Sequence, residues 1–250
     1  MNSDDTLTIN RFLEAANNCY YRNIPVETDF LDLYRQNLFN TILKELPPVS
    51  HKVMGGYDLA ERKVVLFLPD DTYESYIPFS IIKIVPVHIK FFEELTHRDY
   101  LGSILALGIS RDKIGDIIVK KDCAYLFCTN SLAAFLEENI TKIRNTFVKA
   151  QIITDAEFDY LPDFEVIKGN VASVRLDAVT ALAFRISRNH IIDYIEEGKV
   201  YVNGRIITSN AYSLKPSDII SVRGLGKIQY AGAGNETRKG RIMITINKYI

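Results

Sequence analysis

The stretch RLDAVTALAFRISRNHIIDYIEEGKVYVNG, residues 175–204, carries the clearest structural signals in the chain. Apolar residues dominate its first part, residues 175–184, and predict a short helix. Ser187 is a typical N-cap for a second helix, which Gly198 ends. A short strand candidate then reaches Asn203-Gly204, a strong β-hairpin turn signal. Together with the strand candidates that follow, this order predicts a compact α+β unit.

The charge of the chain is divided unevenly around this unit. Residues 171–250 contain 12 Lys and Arg against 6 Asp and Glu, whereas residues 1–170 contain 18 against 25. The formal net charge of −1 hides this asymmetry. A basic unit joined to an acidic body favours a polyanionic partner for the basic part. Charge alone leaves an accident of surface composition about equally probable.

Basic and polar residues recur at the starts and turns of the predicted elements. The first turn after Ser187 offers backbone N–H groups, a guanidinium and polar side chains, a combination that attracts phosphate. Small residues at Gly224 and Gly226 allow a nucleic-acid backbone to come close. For any single basic residue a solvated surface charge is the commoner outcome, but the joint pattern predicts an RNA-binding face. Its predicted members are Arg175, Arg185, Ser187, Arg188, Asn189, His190, Lys199, Asn203, Arg205, Arg223, Lys227, Arg238, Lys239 and Arg241.

These residues bring out a resemblance to the S-four RNA-binding domain, named after a small-subunit ribosomal protein. The match includes Arg175-Leu176-Asp177, Ser187-Arg188, residues 195–198 and Val202-Asn203-Gly204, and it continues through Pro216 to Val222-Arg223-Gly224. Domains of this type bind structured RNA with the two-helix face and the following hairpin. Ser217 stands where the usual Gly-Asp pair has glycine, a departure that concerns a turn.

Upstream, the pattern predicts a strand–helix–strand–strand–helix–strand order typical of ferredoxin-like and RRM-like domains. The elements are a strand over residues 81–91, a helix capped by Thr96 with Asp99 closing a capping box, and two short strands around Lys121-Asp122. A helix from Asn130 or Ser131 through Ile143 follows. The last strand lies at 150–154 or at 164–167. Tyr125 and Phe127 alternate as an RNA-stacking platform requires, but the accompanying glycine and aromatic signature is missing, which favours core packing for at least one.

The region before residue 76 is predicted to be mainly helical with short strands. Helices are expected over residues 7–21 and from Asp32 to Leu46, and strands around residues 51–57 and 62–68. The full expectation is an α+β chain of three parts: 1–75, helical; 76–168, ferredoxin-like; and 171–250, a small S-four-type unit. Cys19, Cys123 and Cys128 show no metal-ligand spacing and are expected to be buried, reduced thiols.

Further motifs resemble one particular bacterial family. Gly55-Gly56-Tyr57, residues 60–63, Leu68-Pro69-Asp70 and the run THRDYLGSILALGISRDKIGDIIV, residues 96–119, resemble the bacterial YlmH family, as does the ending from Gly224. The resemblance implies association with the large ribosomal subunit and peptidyl-tRNA in the rescue of stalled ribosomes. Members of the family have also been linked to cell division.

Enzymatic interpretations find little support. Arg175-Leu176-Asp177 resembles a pseudouridine-synthase motif, but no synthase-sized domain follows, so Asp177 is expected to pack or cap the first helix. His97-Arg98-Asp99 spells the kinase triplet without its partner motifs. The expectation is a non-enzymatic, cytoplasmic, monomeric RNA-binding protein without catalytic residues, metal or cofactor, whose partners are rRNA and possibly tRNA. The alternatives are an RNA-modifying enzyme with a pocket near His88, His97 or Asp99, and a division-associated scaffold.

Overall fold

A computed structural model describes residues 3–57, 60–70, 73, 75–88, 93–158, 160, 164–238 and 240–249. The chain forms two compact units, Met1–Tyr160 and Leu161–Ile250. Residues 164–168, assigned to the middle part from the sequence, lie in a strand of the second unit. The boundaries of the predicted three parts therefore stay a prediction. Within the described residues, no helix is long and apolar enough to cross a membrane.

The N-terminal part of the first unit packs two helices on a small sheet. Its elements are α1 (Ser3–Arg22), β1 (Val26–Glu27), α2 (Leu33–Thr41), β2 (Ser50–Met54) and β3 (Val64–Leu68), with strand order β1-β3-β2. Ile9, Phe12 and Ala16 lie one helical turn apart and bury one face of α1. The predicted end of α2 at Leu46 is wrong. The helix stops at Thr41, because the N–H of Ile42 donates to Phe39 O, three residues back instead of the four of an α-helix.

The middle part of the first unit has the predicted ferredoxin-like order. Its elements are β4 (Phe79–Pro86), α3 (His97–Leu105), β5 (Ile114–Val119), β6 (Ala124–Thr129), α4 (Ala133–Asn139), β7 (Lys142–Ile143) and β8 (Thr146–Ile153). The sheet is antiparallel with the order β5-β6-β4-β8-β7. Ile104 of α3 and Leu136 of α4 are fully buried against one face of this sheet.

The predicted bounds of one strand and one helix in this part differ from the structure. The strand predicted over residues 81–91 begins at Phe79 and ends at Pro86; residues 89–92 lie outside the described residues. The predicted helix through Ile143 is α4, which ends at Asn139, and a one-turn 3-10 segment over Asn130–Leu132 precedes it. Ile143 is instead buried in β7, so its helical spacing from Ile140 reflected a shared core rather than a shared helix.

The second unit confirms the predicted α+β arrangement. Its elements are β9 (Phe164–Val171), α5 (Leu176–Phe184), α6 (Arg188–Glu196), β10 (Val200–Val202), β11 (Arg205–Ile206), β12 (Ile219–Val222), β13 (Gly226–Glu236) and β14 (Ile242–Tyr249). They form one sheet with the order β11-β10-β12-β13-β14-β9. Asn203 and Gly204 have φ values of 48° and 77°, so they form the predicted left-handed hairpin turn. The alternative strand at residues 164–167 belongs here, where β9 pairs with β14 along its whole length.

A partly buried polar joint fixes the N-terminal part to the middle part. The carboxylate of Asp116 accepts hydrogen bonds from Tyr57 Oη (2.7 Å), Glu61 N (2.8 Å) and Arg62 N (3.1 Å). The guanidinium of Arg62 donates to the carbonyls of Ile114 and Phe30, both at 2.8 Å. The burial of Tyr57 beside Asp116 raises the pKa of its hydroxyl. Residues from three separate YlmH-like motifs therefore meet in one structural contact.

This joint closes part of the sheet face that α3 and α4 leave open. Phe30, Val64 and Phe158 pack against that face and bury Tyr125 and Phe127, which are 4% and 0% exposed. Core packing, expected for at least one of the two rings, therefore holds for both. A stacking platform at the centre of the sheet is unavailable to RNA.

Candidate nucleic-acid interface

The starts of α5 and α6 meet at a single buried carboxylate. Asp177, 1% exposed, accepts hydrogen bonds from Arg175 Nε (3.2 Å) and Arg175 Nη2 (3.3 Å). Arg188 Nη2 donates to Asp177 Oδ2, the oxygen that also accepts Arg175 Nη2. Two of the predicted RNA-binding arginines are therefore held together by a residue that was expected only to pack or cap. We call Arg175, Asp177 and Arg188 the arginine clamp.

The clamp follows from local chemistry. A buried carboxylate needs opposite charge and hydrogen-bond donors to offset its desolvation. Asp177 lies in the first turn of α5, where the helix dipole favours a negative charge, and it also accepts the N–H of Ala178 at 2.9 Å. The Arg175 and Arg188 side chains stay 35% and 53% exposed. Each guanidinium is thus fixed by one edge and keeps further N–H groups for an external anion such as a phosphate.

The first turn of α6 provides polar groups next to the clamp. Ser187 caps the helix as predicted, accepting the N–H of His190 at 3.2 Å. Asn189 and His190 are exposed, and the His190 ring lies 5.3 Å from that of Tyr194. The helix start therefore combines a positive dipole end with donors that face solvent.

Lys199 and Arg223 come together at the end of α6, where the N–H of Arg223 donates to Lys199 O at 2.9 Å. The Lys199 ammonium pairs with Glu197 and lies 5.3 Å from the ring centre of Tyr194. Hydrogen bonding to Glu197 raises the pKa of Lys199. Glu197 offsets part of the charge of Lys199, so Arg223, which is exposed, is the stronger phosphate donor of the two.

The remaining predicted residues are dispersed. Arg185 is exposed and pairs with Glu165 at 3.0 Å, Arg205 is exposed on β11, and Lys227 Nζ lies 5.8 Å from the Tyr249 ring centre. Arg238 and Arg241 are exposed where β13 turns into β14, about 35 Å along the strand from Lys227. Lys239 lies outside the described residues. The structure therefore does not gather all the predicted residues into one cluster.

The Asn203 side chain contacts its own fold. Its Nδ2 donates to Asp218 Oδ1 at 2.8 Å, and its Oδ1 accepts the N–H of Ile219 at 2.9 Å. The other oxygen of Asp218 accepts the N–H of Lys215 at 2.7 Å. Asn203 thus shapes the hairpin that presents Arg205, and its direct contact with RNA stays a prediction.

Asp99, one of the residues considered for an enzymatic site, serves the fold. Asp99 accepts hydrogen bonds from Thr96 N (2.8 Å) and Thr96 Oγ1 (2.7 Å), which is the predicted capping box. These bonds lower the pKa of Asp99, and Arg144 lies 3.4 Å from its other oxygen. Its carboxylate is therefore an ionised structural acceptor rather than a poised proton donor.

The second unit is a small α+β module whose clamp presents two guanidinium groups at adjacent helix starts. Residues 174–220 match the family described as "S4 domain", and residues 78–157 match the family described as "Putative RNA-binding domain in YlmH". The two segments match these domain models, and the resemblance found in the sequence is confirmed.

Relatives cover most of the chain. It is 27% identical over 223 residues to "Ribosome-associated protein quality control protein P2" of Bacillus subtilis (strain 168), a match that spans 88% of this chain and 86% of that protein. It also resembles the solved structure of "Cell division protein ylmH from Streptococcus pneumoniae", with a TM-score of 0.50 and 22% identity over 63% of this chain and 95% of that one. The second likeness shows the fold alone. The domain matches support RNA binding by the two matched segments.

Proposed function

We propose that this protein is a non-enzymatic, monomeric factor that binds rRNA of the large ribosomal subunit in the cytoplasm. It docks its second unit on structured rRNA and contacts peptidyl-tRNA while stalled ribosomes are rescued. The name of the Bacillus relative supports the link to ribosome quality control. The peptidyl-tRNA contact extends the YlmH resemblance.

The arginine clamp is the observation that carries this proposal. Asp177 fixes two guanidinium groups at adjacent helix starts before any RNA arrives. Arginine forms bidentate contacts with phosphate, and holding its side chain in advance reduces the entropy lost on binding. Arg223 adds a third guanidinium at the turn between β12 and β13.

A salt titration with paired variants tests the proposal. The full chain binds purified large subunits, and the Arg188→Ala/Arg223→Ala variant is expected to bind at least tenfold more weakly, with the slope of log K against log salt shallower by about 1 to 2. Arg11→Ala/Arg22→Ala, which removes the same charge from exposed positions on α1, is the control and should bind like the wild type.

Two results would contradict this function. One is cosedimentation of the Arg188→Ala/Arg223→Ala variant with subunits to the same extent as the wild type. The other is a set of protein partners that survives ribonuclease treatment while no ribosomal subunit is bound, the behaviour expected of a division scaffold. Crosslinking of the bound complex to tRNA then tests the peptidyl-tRNA contact separately.

A further inference from the structure

The sheet of the middle part has an uncovered end on the face that carries Tyr125 and Phe127. Phe30, Val64 and Phe158 cover one end of this face. At the other end, cross-strand pairs place Lys83 beside Gln151, and Lys142 beside Phe147. Residues directly opposite each other in a sheet share a face, so these side chains form one continuous surface.

We call this surface the open half-face, made of Lys83, Val87, Lys142, Phe147, Lys149 and Gln151. Phe147 and Val87 are 61% and 53% exposed, although both are apolar. The N–H of Val87 donates to Phe147 O at 2.9 Å, which brings the two residues side by side. An apolar ring and an isopropyl group facing solvent at one spot are typical of a contact surface rather than of a solvated edge.

Positive charge surrounds the Phe147 ring. Lys142 Nζ lies 5.3 Å from its ring centre, and Lys149 follows two residues later on the same strand and the same face. Lys83 lies one strand away, 5.9 Å from the ring centre of Tyr125. Across the described residues, no ion pair engages Lys83, Lys142 or Lys149.

Among the described residues, Glu157 is an acidic group at the border of this surface. The carboxylate of Glu157 feels the charge of Lys83, but it accepts Thr154 N and Thr154 Oγ1, both at 2.9 Å. Its position is therefore fixed by the capping box after β8, whereas Lys149 lies nearer the other end of β8 and Lys142 lies on the neighbouring strand β7. The surface as a whole is complementary to an anion that also has an aromatic face.

We propose that the open half-face binds an unpaired segment of RNA, with one base stacked on Phe147 and the flanking phosphates on Lys142 and Lys149. Gln151 carries both a donor and an acceptor for a base edge or a ribose hydroxyl. Stacking on a protein ring is sequence-tolerant and suits single strands, because every base has an aromatic face that pairing otherwise hides. An acidic peptide would use the lysines but leave the Phe147 ring without a planar partner.

This site rests on the proposed RNA-binding function and lies away from the expected platform. The central rings of the sheet are closed by the N-terminal part, so the exposed ring sits on β8, beside the edge strand β7. The family match covers residues 78–157 without indicating which surface would touch RNA. The open half-face would bind single-stranded RNA, whereas the S-four resemblance implies structured RNA as the ligand of the clamp.

Fluorescence anisotropy with the full chain tests this inference. The probes are a labelled single-stranded 12-mer of uridylate and the same strand paired with 12-mer adenylate. Phe147→Ala is expected to weaken binding of the single strand by about tenfold and to leave the duplex unchanged, since one base–ring stack is lost. Lys149→Glu should weaken it too and make its salt slope shallower by about 0.7 or more.

Matched controls separate the site from general effects. Phe135→Ala removes another exposed phenylalanine from the same domain, on α4, and Lys44→Glu makes the same charge change after α2. Both should bind the single strand like the wild type. Because Phe147 and Lys149 are exposed, their replacement should leave the far-ultraviolet circular dichroism and the urea midpoint unchanged.

The possible results distinguish the proposal for the open half-face from the proposal for the clamp. Equal affinity of Phe147→Ala and Phe135→Ala for the uridylate strand overturns the open half-face, even if Arg188→Ala/Arg223→Ala still weakens subunit binding at least tenfold. If instead Phe147→Ala binds the strand more weakly than Phe135→Ala, and Arg188→Ala/Arg223→Ala binds subunits like the wild type, the open half-face is supported. The proposed role of the clamp is then rejected. If Phe147→Ala keeps full RNA affinity but loses a ribonuclease-resistant protein contact, the surface binds protein and the RNA proposal is wrong.

Discussion

Replacing Asp177 by asparagine separates two explanations of the basic unit. If overall charge drives RNA binding, losing a negative charge should strengthen it. If the clamp positions Arg175 and Arg188, the same change should weaken it, because asparagine keeps one acceptor oxygen and no charge. The two explanations therefore predict opposite signs for one isosteric substitution.

The structure sets the expected magnitudes. Asp177 is 1% exposed, but its two arginine partners are 35% and 53% exposed and can regain water, which lowers the cost of losing the pair. We expect the second unit to lose about 2 kcal/mol of stability, near the lower end for hydrogen bonds to charged groups. Releasing two side chains costs about 0.5–1.5 kcal/mol each on binding, so RNA affinity should fall by about tenfold.

The assay compares Asp177→Asn with Asp193→Asn by anisotropy on a structured rRNA hairpin, at a temperature where both variants are folded. Asp193 is exposed on α6, so its replacement makes the same charge change without touching the clamp. The electrostatic gain then cancels between the two variants. If Asp177→Asn binds as tightly as Asp193→Asn, the positioning argument is refuted.

Further predictions concern the folding of each unit. Ser217 has a φ of 73°, so Ser217→Gly should raise the urea stability of the second unit by about 0.5 kcal/mol and leave RNA affinity unchanged; a loss of stability would contradict the strain argument. A Cβ on Gly56 would lie 2.1 Å from the Phe127 ring, so Gly56→Ala should destabilise the first unit by about 2–3 kcal/mol, whereas Gly102→Ala on α3, where a Cβ meets nothing, should stabilise it by about 0.5–1 kcal/mol. Equal urea midpoints for these two variants would disprove the close approach of Gly56 to the sheet. Burial raises the pKa of Cys128 to about 12 and also raises the pKa of Cys19 and Cys123, so native protein at pH 8 should show no fast thiol reaction with a disulfide reagent until the first unit unfolds. A rapid phase in the folded protein would mean that one of these thiols is accessible.

Local signals in the sequence predicted the elements that depend on neighbouring residues. The Ser187 cap, the capping box of Thr96 with Asp99 and the Asn203-Gly204 turn all have their partners within four residues, and the structure has all three. The expected burial of Cys19 and Cys128 also holds, with both fully buried. Short-range hydrogen bonding and apolar spacing suffice for such features.

Contacts between distant residues could not be predicted in this way. Arg188 reaches Asp177 across eleven positions, and the hydroxyl of Tyr57 reaches Asp116 across fifty-nine. Likewise, Ile143 keeps a helical spacing from Ile140, yet the chain turns at Arg144, with a φ of 50°, and Ile143 enters β7. Periodicity records which residues face a core, and a strand and a helix can face the same core.

The middle part carries no formal net charge, with ten Lys and Arg and ten Asp and Glu over residues 78–157. The fold uses many of these carboxylates as hydrogen-bond acceptors: Asp116 in the joint, Asp99 in the capping box and Glu137 at Ile152 N. The lysines of the open half-face lie outside those contacts. A domain whose carboxylates are held elsewhere by hydrogen bonds within the fold can therefore present a positive face at zero net charge. For RNA binding the decisive quantity is the charge left on one surface, and here that surface also carries the exposed ring of Phe147.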